Sequence, residues 1–245
     1  MTALWLALAA IVLIWPTPAL LARATWALRR PVLALIVWQA IGLCTGMAAI
    51  GAGLHFGLTS AAFSWLRIAA ITVAAALAGY LLIVAAWVTA STLTRRRRHR
   101  AVLDLVGTPI PSVPGGRVLE SSAAMAYCLP GLRPRMVVTT AALTDLSPGA
   151  FDAVVAHELS HLRQRHDLVV LPFVAWQAAL PFLPSARTAR ASVALLIEAL
   201  ADDTARARVG DRALDEALSV VRLTDEDEPG ADLAVRVRRG RLAPL

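Results

Sequence analysis

Five consecutive residues, His157-Glu158-Leu159-Ser160-His161, combine the side chains and the spacing needed to hold and use a divalent metal. On an α-helix, positions four apart lie one turn above each other on the same face. Two imidazoles placed in this way can bind one zinc ion, and Glu158, next to the first, is angled toward the coordination position left open. From there its carboxylate can take a proton from a water molecule as that water attacks a carbonyl carbon. The metal would contribute twice, by making a nucleophile available at neutral pH and by holding the developing oxyanion.

Such a site needs a third protein donor. The run Glu198-Ala199-Leu200-Ala201-Asp202 offers one on a second expected helix. Residues 194–200 are otherwise wholly apolar, so a carboxylate at 198 requires a partner to offset its burial. Asp202, four residues on, shares the face of Glu198. It can accept a hydrogen bond from the ring nitrogen that a ligand histidine does not use, fixing tautomer and orientation. His166 lies nine residues from His157. On a continued helix it falls off the metal-binding face, so it is read as a surface residue or an outer contact. Arg206 and Arg208 are candidates for stabilising the oxyanion.

Certain elements must position these groups. Ser147 is placed to cap the first helix and Pro148 to start it, with Leu146 and Phe151 as a hydrophobic staple across the entry. Two strands are expected before it, over 122–128 and 135–140, separated by the turn-like Leu129-Pro130-Gly131. Upstream, 95–106 suits a short basic helix and the Pro/Gly-rich 107–116 a linker. The tail 225–245 opens on Asp225-Glu226-Asp227-Glu228-Pro229-Gly230 and is expected to be flexible.

The composition then places the whole in a membrane. The 245 residues are 58% hydrophobic and only 17% charged, too apolar for an ordinary soluble domain of this size. Lysine and asparagine are absent, so the net charge of +7 comes from arginine alone. That bias points to a GC-rich bacterial coding sequence. Residues 1–22, 31–54 and 68–94 carry no charge, and each exceeds or approaches the roughly 20 apolar residues that a transmembrane helix needs. A cleaved signal peptide would carry its positive charge before the apolar core, whereas here Arg23 follows it, so 1–22 is read as a retained span. Arg23, Arg29 and Arg30 follow the first span, and Arg95, Arg96, Arg97, Arg98 and Arg100 the third. The positive-inside rule then puts the N-terminus outside and everything after Arg95 in the cytoplasm. Beside apolar runs, the arginine cluster 95–100 fits anionic lipid better than nucleic acid, and no nucleic-acid partner is expected. Two cysteines are too few for a disulfide framework.

The chain resembles the integral-membrane gluzincin metallopeptidases, the HtpX-type proteases and the BlaR-type sensors, from about Ser122 to Ala207. Three blocks carry the likeness: Ala126-Tyr127-Cys128 with Gly131, residues 134–143 (PRMVVTTAAL), and residues 146–167 (LSPGAFDAVVAHELSHLRQRHD). The E-x-x-A-D run at 198–202 matches their third-ligand signature. The resemblance implies one zinc ion held by His157, His161 and Glu198, with Glu158 as base and Asp202 behind a ligand. It also implies substrate added as a strand along Ala126 and Tyr127. Met125 stands where some members have asparagine, which weakens the carry-over of side-chain contacts but not of backbone pairing. With the chain ending at Leu245, no extracytoplasmic sensor domain is expected and a β-lactam-sensing role is unsupported.

The expected architecture is an α-helical membrane protein with a small cytoplasmic α+β zinc-metallopeptidase domain. Residues 1–94 form the membrane domain, 95–116 the juxtamembrane helix and linker, and 117–224 the catalytic domain. Within the last, 168–184 is apolar but short and holds three prolines. It is read as dipping into the cytoplasmic leaflet, because a crossing would strand Glu198 away from His157; a fourth span is the alternative. The expected function is endopeptidase cleavage of membrane or membrane-proximal proteins in a bacterial cell membrane, with a transcriptional repressor among the possible substrates. The rival is a catalytically silent zinc-binding signalling or scaffold protein, against which the base at Glu158 argues.

Overall fold

In the structure, a computed structural model, residues 1–110, 115–131 and 134–220 are described. The expected tail, residues 221–224 of the expected catalytic domain and residues 111–114 of the expected linker lie outside them. The elements run α1 (Thr2–Ile14), α2 (Pro16–Ala22), α3 (Thr25–Arg29), α4 (Pro31–Thr59), α5 (Ser64–Val106), β1 (Thr108–Pro109), β2 (Gly116–Leu119), β3 (Ala126–Leu129) and β4 (Arg135–Thr139). They continue with α6 (Thr140–Asp145), α7 (Pro148–Arg163), α8 (His166–Ala179), α9 (Pro184–Val209) and α10 (Asp211–Val220). The described residues divide into two compact units, Met1–Ser91 with Val170–Leu196, and Thr92–Val169 with the described residues from Ile197 onward.

Among the described residues three helical stretches are long and apolar enough to cross a membrane: Thr2–Ala22, Pro31–Thr59 and Ser64–Val106. The first is broken at Trp15, before Pro16 and Pro18. A proline lacks the amide hydrogen that a continuing helix would use and crowds the preceding turn. Helix α4 packs its Ala34, Trp38, Ile41 and Ala48 inward. At Gly53 a Cβ would meet the Ala74 Cβ of α5 at 2.9 Å, so only glycine permits this approach of the two helices. The ring of Trp38 meets that of Phe173 edge-on at 6.4 Å, and Tyr80 donates to the Ala179 carbonyl at 2.8 Å. Outward, Leu82, Ile83 and Trp87 stand exposed, as suits helices that face lipid. The apolar 168–184 is mostly α8, 14 residues with Pro172 inside. At 1.5 Å per residue it reaches about 21 Å, short of the roughly 30 Å hydrocarbon core.

The second unit carries a four-stranded sheet in the order β1-β2-β4-β3. Strand β2 runs parallel to β4, while β3 pairs antiparallel with β4, Tyr127 opposite Val137. This corrects the expectation in three places. Residues 107–116 are not wholly linker, since Thr108–Pro109 and Gly116 pair in the sheet. The basic stretch 95–106 is no separate helix but the end of the 43-residue α5. The strand expected over 122–128 begins only at Ala126. Ahead of it the Thr139 hydroxyl bonds Met125 and Ala123, and side-chain bonds of this kind compete with a strand ladder.

Helix α7 starts as the sequence requires. Pro148 is in its first turn, and the Ser147 hydroxyl accepts from the Ala150 amide. Its Ala150, Ala153 and Val154 enter a buried cluster with Met136 and Val138 of β4 and Leu214, Ala217 and Leu218 of α10. The helix therefore lies between the sheet and α10, with its axis fixed by small residues that allow close approach. The carboxylate of Asp104, on α5, accepts from Arg117 of β2 at 2.9 Å and Arg135 of β4 at 3.0 Å, tying the helix end to two strands.

Candidate metal centre

One face of α7 presents His157 and His161, and α9 presents Glu198 and Asp202 against it. The Nε2 atoms of the two histidines are 3.1 Å apart. Glu198 brings Oε2 to 3.3 Å from His157 Nε2 and Oε1 to 3.5 Å from His161 Nε2. Three donor atoms thus converge within 4.8 Å. Ligands about 2.0–2.1 Å from a tetrahedral zinc ion stand about 3.4 Å from one another, so the donor set and its spacing both fit zinc. Electron pairs aimed at one point repel unless a cation or shared protons stand between them, and two neutral imidazoles with a carboxylate are a set that zinc favours.

Each ring has its outer nitrogen engaged. His157 Nδ1 meets Asp202 Oδ1 at 3.0 Å, with His157 and Asp202 both buried. A carboxylate in that position accepts the Nδ1 hydrogen and leaves the Nε2 lone pair facing the cluster. Asp203, one residue on, turns away and meets Arg206 at 3.5 Å.

Glu158 is half-buried, with Oε2 accepting from the Cys128 amide at 3.0 Å. That amide belongs to β3, the edge of the sheet. Glu158 therefore stands against the edge strand of the sheet. Burial, and secondarily the charge of Glu158, push the Cys128 thiol up to about 12. It stays protonated at neutral pH. Burial also raises the Tyr127 phenol above its ordinary value, and its hydroxyl meets His99 Nε2 at 3.0 Å.

Of the two readings offered for His166, the structure favours the outer contact over the surface residue: it is 4% exposed, and its Nδ1 lies 3.1 Å from Nδ1 of His161. Burial, followed by the neighbouring His157, lowers its pKa below the ordinary imidazole value against the opposing pull of Glu198 and Asp167. Arg206 pairs with Asp211 at 2.8 Å as well as with Asp203, and Arg208 is exposed. Within the basic cluster, Arg96 pairs with Asp167 at 2.7 Å and Arg100 donates to the Pro130 carbonyl. Those two arginines are committed inside the protein, and Arg95, Arg97 and Arg98 stay exposed.

Residues 89–208 match the family model of peptidase family M48. The match supports a zinc metallopeptidase, and it covers every residue of the His157, His161 and Glu198 cluster. M48 peptidases are zinc-dependent, in keeping with the donor set. No curated protein and no solved structure matches the chain.

Proposed function

We propose that the chain is a membrane-embedded zinc endopeptidase that cleaves membrane or membrane-proximal proteins at the cytoplasmic face. The observation that carries this reading is the convergence of His157, His161 and Glu198 within 4.8 Å, the two histidines standing on the helix that also bears Glu158. In this reading those three residues hold the metal, which when bound supplies a Lewis acid and a nucleophile at neutral pH. Asp202 keeps His157 in the tautomer whose Nε2 faces inward. Glu158 accepts the proton of the attacking water and returns it to the leaving amine. The substrate adds as a strand beside Ala126 and Tyr127, where backbone pairing along the free edge of β3 would carry its carbonyl past Glu158.

Three helices apolar enough to cross a bilayer support the membrane setting. The arginines after residue 94 support a cytoplasmic catalytic unit, with Arg95, Arg97 and Arg98 against anionic head groups. Detergent-purified protein should contain about one zinc per chain and hydrolyse casein, with activity lost to a chelator and restored by zinc. Stoichiometric zinc without hydrolysis would favour the silent scaffold instead. Reporter fusions after Leu54 should be active outside and those after Arg100 or Arg190 inside. A periplasmic signal at Arg190 would show that 168–184 crosses.

A further inference from the structure

Beyond the metal cluster, α7 ends at Arg163 and α8 begins at His166. In the two-residue link Arg165 adopts φ +49°, alone among the described non-glycine residues in having positive φ. A left-handed backbone at an arginine costs roughly 1–2 kcal/mol, and such strain persists where the surrounding structure requires it. Past this residue, His166, nine positions from His157, meets the ring of His161.

The hydrogen bonds around His166 have one consistent direction, which starts from a group that can only accept. The Thr204 hydroxyl donates to the Leu200 carbonyl at 2.9 Å. The buried Ser160 hydroxyl donates to Thr204 Oγ1 at 3.3 Å. With both hydroxyl hydrogens committed, the Gln164 amide nitrogen is the donor to Ser160 at 2.9 Å and to Thr204 at 3.2 Å. That orientation turns Gln164 Oε1 toward His166 Nε2, at 3.2 Å. An oxygen there accepts, so His166 carries its hydrogen on Nε2 and leaves Nδ1 as an acceptor. The partner of that nitrogen is His161 Nδ1, at 3.1 Å.

We propose that His166 is a positioning residue for the metal site: it accepts the Nδ1 hydrogen of His161 and holds that ring in the tautomer whose Nε2 lone pair faces His157 and Glu198. The proposal rests on the reading that His161 binds zinc. His166 does for His161 what Asp202 does for His157, using a neutral ring in place of a carboxylate. Gln164 lies at the exposed end of the relay, where water can stand in for it, whereas nothing as mobile can replace the buried ring.

The test is a competitive zinc titration of the detergent-purified full chain against a chelating dye, alongside thermal melting of the metal-free forms. His166→Ala should bind zinc about 10–100-fold more weakly than wild type, the loss typical of an outer partner of a metal ligand. His166→Asn, which offers an amide oxygen near the place of Nδ1, should recover most of that loss. If His166→Ala does not fold, His166→Leu keeps the volume without the acceptor and gives the same reading. Undiminished zinc affinity in the folded alanine or leucine variant overturns the proposal. So does an equal loss in His166→Asn, which would make the role one of packing. A wild-type chain that binds no zinc would overturn the metal reading itself, and this proposal with it.

Discussion

The two candidate ligand histidines stand one turn apart on α7, yet they are held by different chemistry. Behind His157 is Asp202, a buried carboxylate from α9 at 3.0 Å. Behind His161 is His166, a buried neutral ring at 3.1 Å, handed on to Gln164. Both partners fix a tautomer, but only the carboxylate adds negative charge, raising the basicity of its imidazole and its hold on a cation. A second carboxylate behind His161 would add to the charge already present at Glu198, Glu158 and Asp202. A neutral partner orients the ring without that added repulsion.

The largest expected effect tests what the two halves share. Glu158→Gln removes the proton acceptor and leaves His157, His161 and Glu198 in place. Turnover should fall by roughly 10²–10⁴-fold, the usual contribution of a general base, while zinc content stays at the wild-type level. Zinc analysis beside a peptide-cleavage assay measures both. Loss of the metal in this variant would draw Glu158 into the ligand set and break the comparison, since the two histidines would then not be the paired ligands.

A smaller effect separates the halves. Asp202→Ala should weaken zinc binding toward the upper end of the 10–100-fold range for such outer partners, and by more than His166→Ala. Asp203 carries the same charge one residue on, about 100° around the helix, and it is turned to Arg206. Asp203→Ala should therefore leave zinc affinity nearly unchanged in the same titration. Equal losses at 202 and 203 would mean that general acidity matters more than geometry. A greater loss at His166 than at Asp202 would reverse the ranking of the two halves.

Much of this was legible in the sequence because it depends on short-range helical spacing. Pairs four apart, His157 with His161 and Glu198 with Asp202, need only that their segments be helical, and Ser147 with Pro148 announces the start of α7. The three apolar helices follow from the same kind of count. What could not be read depends on a break in that spacing. His166 was left between a surface residue and an outer contact, because nine positions from His157 it falls off the metal face of a continued helix, whereas one left-handed residue at Arg165 undoes the register, and arginine is not the residue that announces such a turn. Strands β1 and β2 were missed for a related reason. With two and four residues, within or beside a Pro/Gly-rich stretch, they are too short to show alternation and exist through their pairing in the sheet.

The last and smallest prediction concerns that break. Glycine has no Cβ to clash in the left-handed region and is the usual residue just past a helix end. Arg165→Gly should relieve the backbone cost of φ +49°, offset in part by the greater freedom glycine gives the unfolded chain. The expected net gain is up to about 1 kcal/mol in the stability of the metal-free form, read from denaturant or thermal unfolding in detergent. Zinc affinity should not change, because the turn geometry that returns His166 to His161 is kept. A fall in affinity with unchanged stability would mean that the arginine side chain, rather than the turn, positions His166. Arg165→Pro provides the opposite case. Its ring fixes φ near −65°, which the link cannot accommodate without moving His166, so affinity should fall as it does in His166→Ala. The two substitutions together separate the path of the backbone from the chemistry of the side chain at the weaker-held of the two histidines.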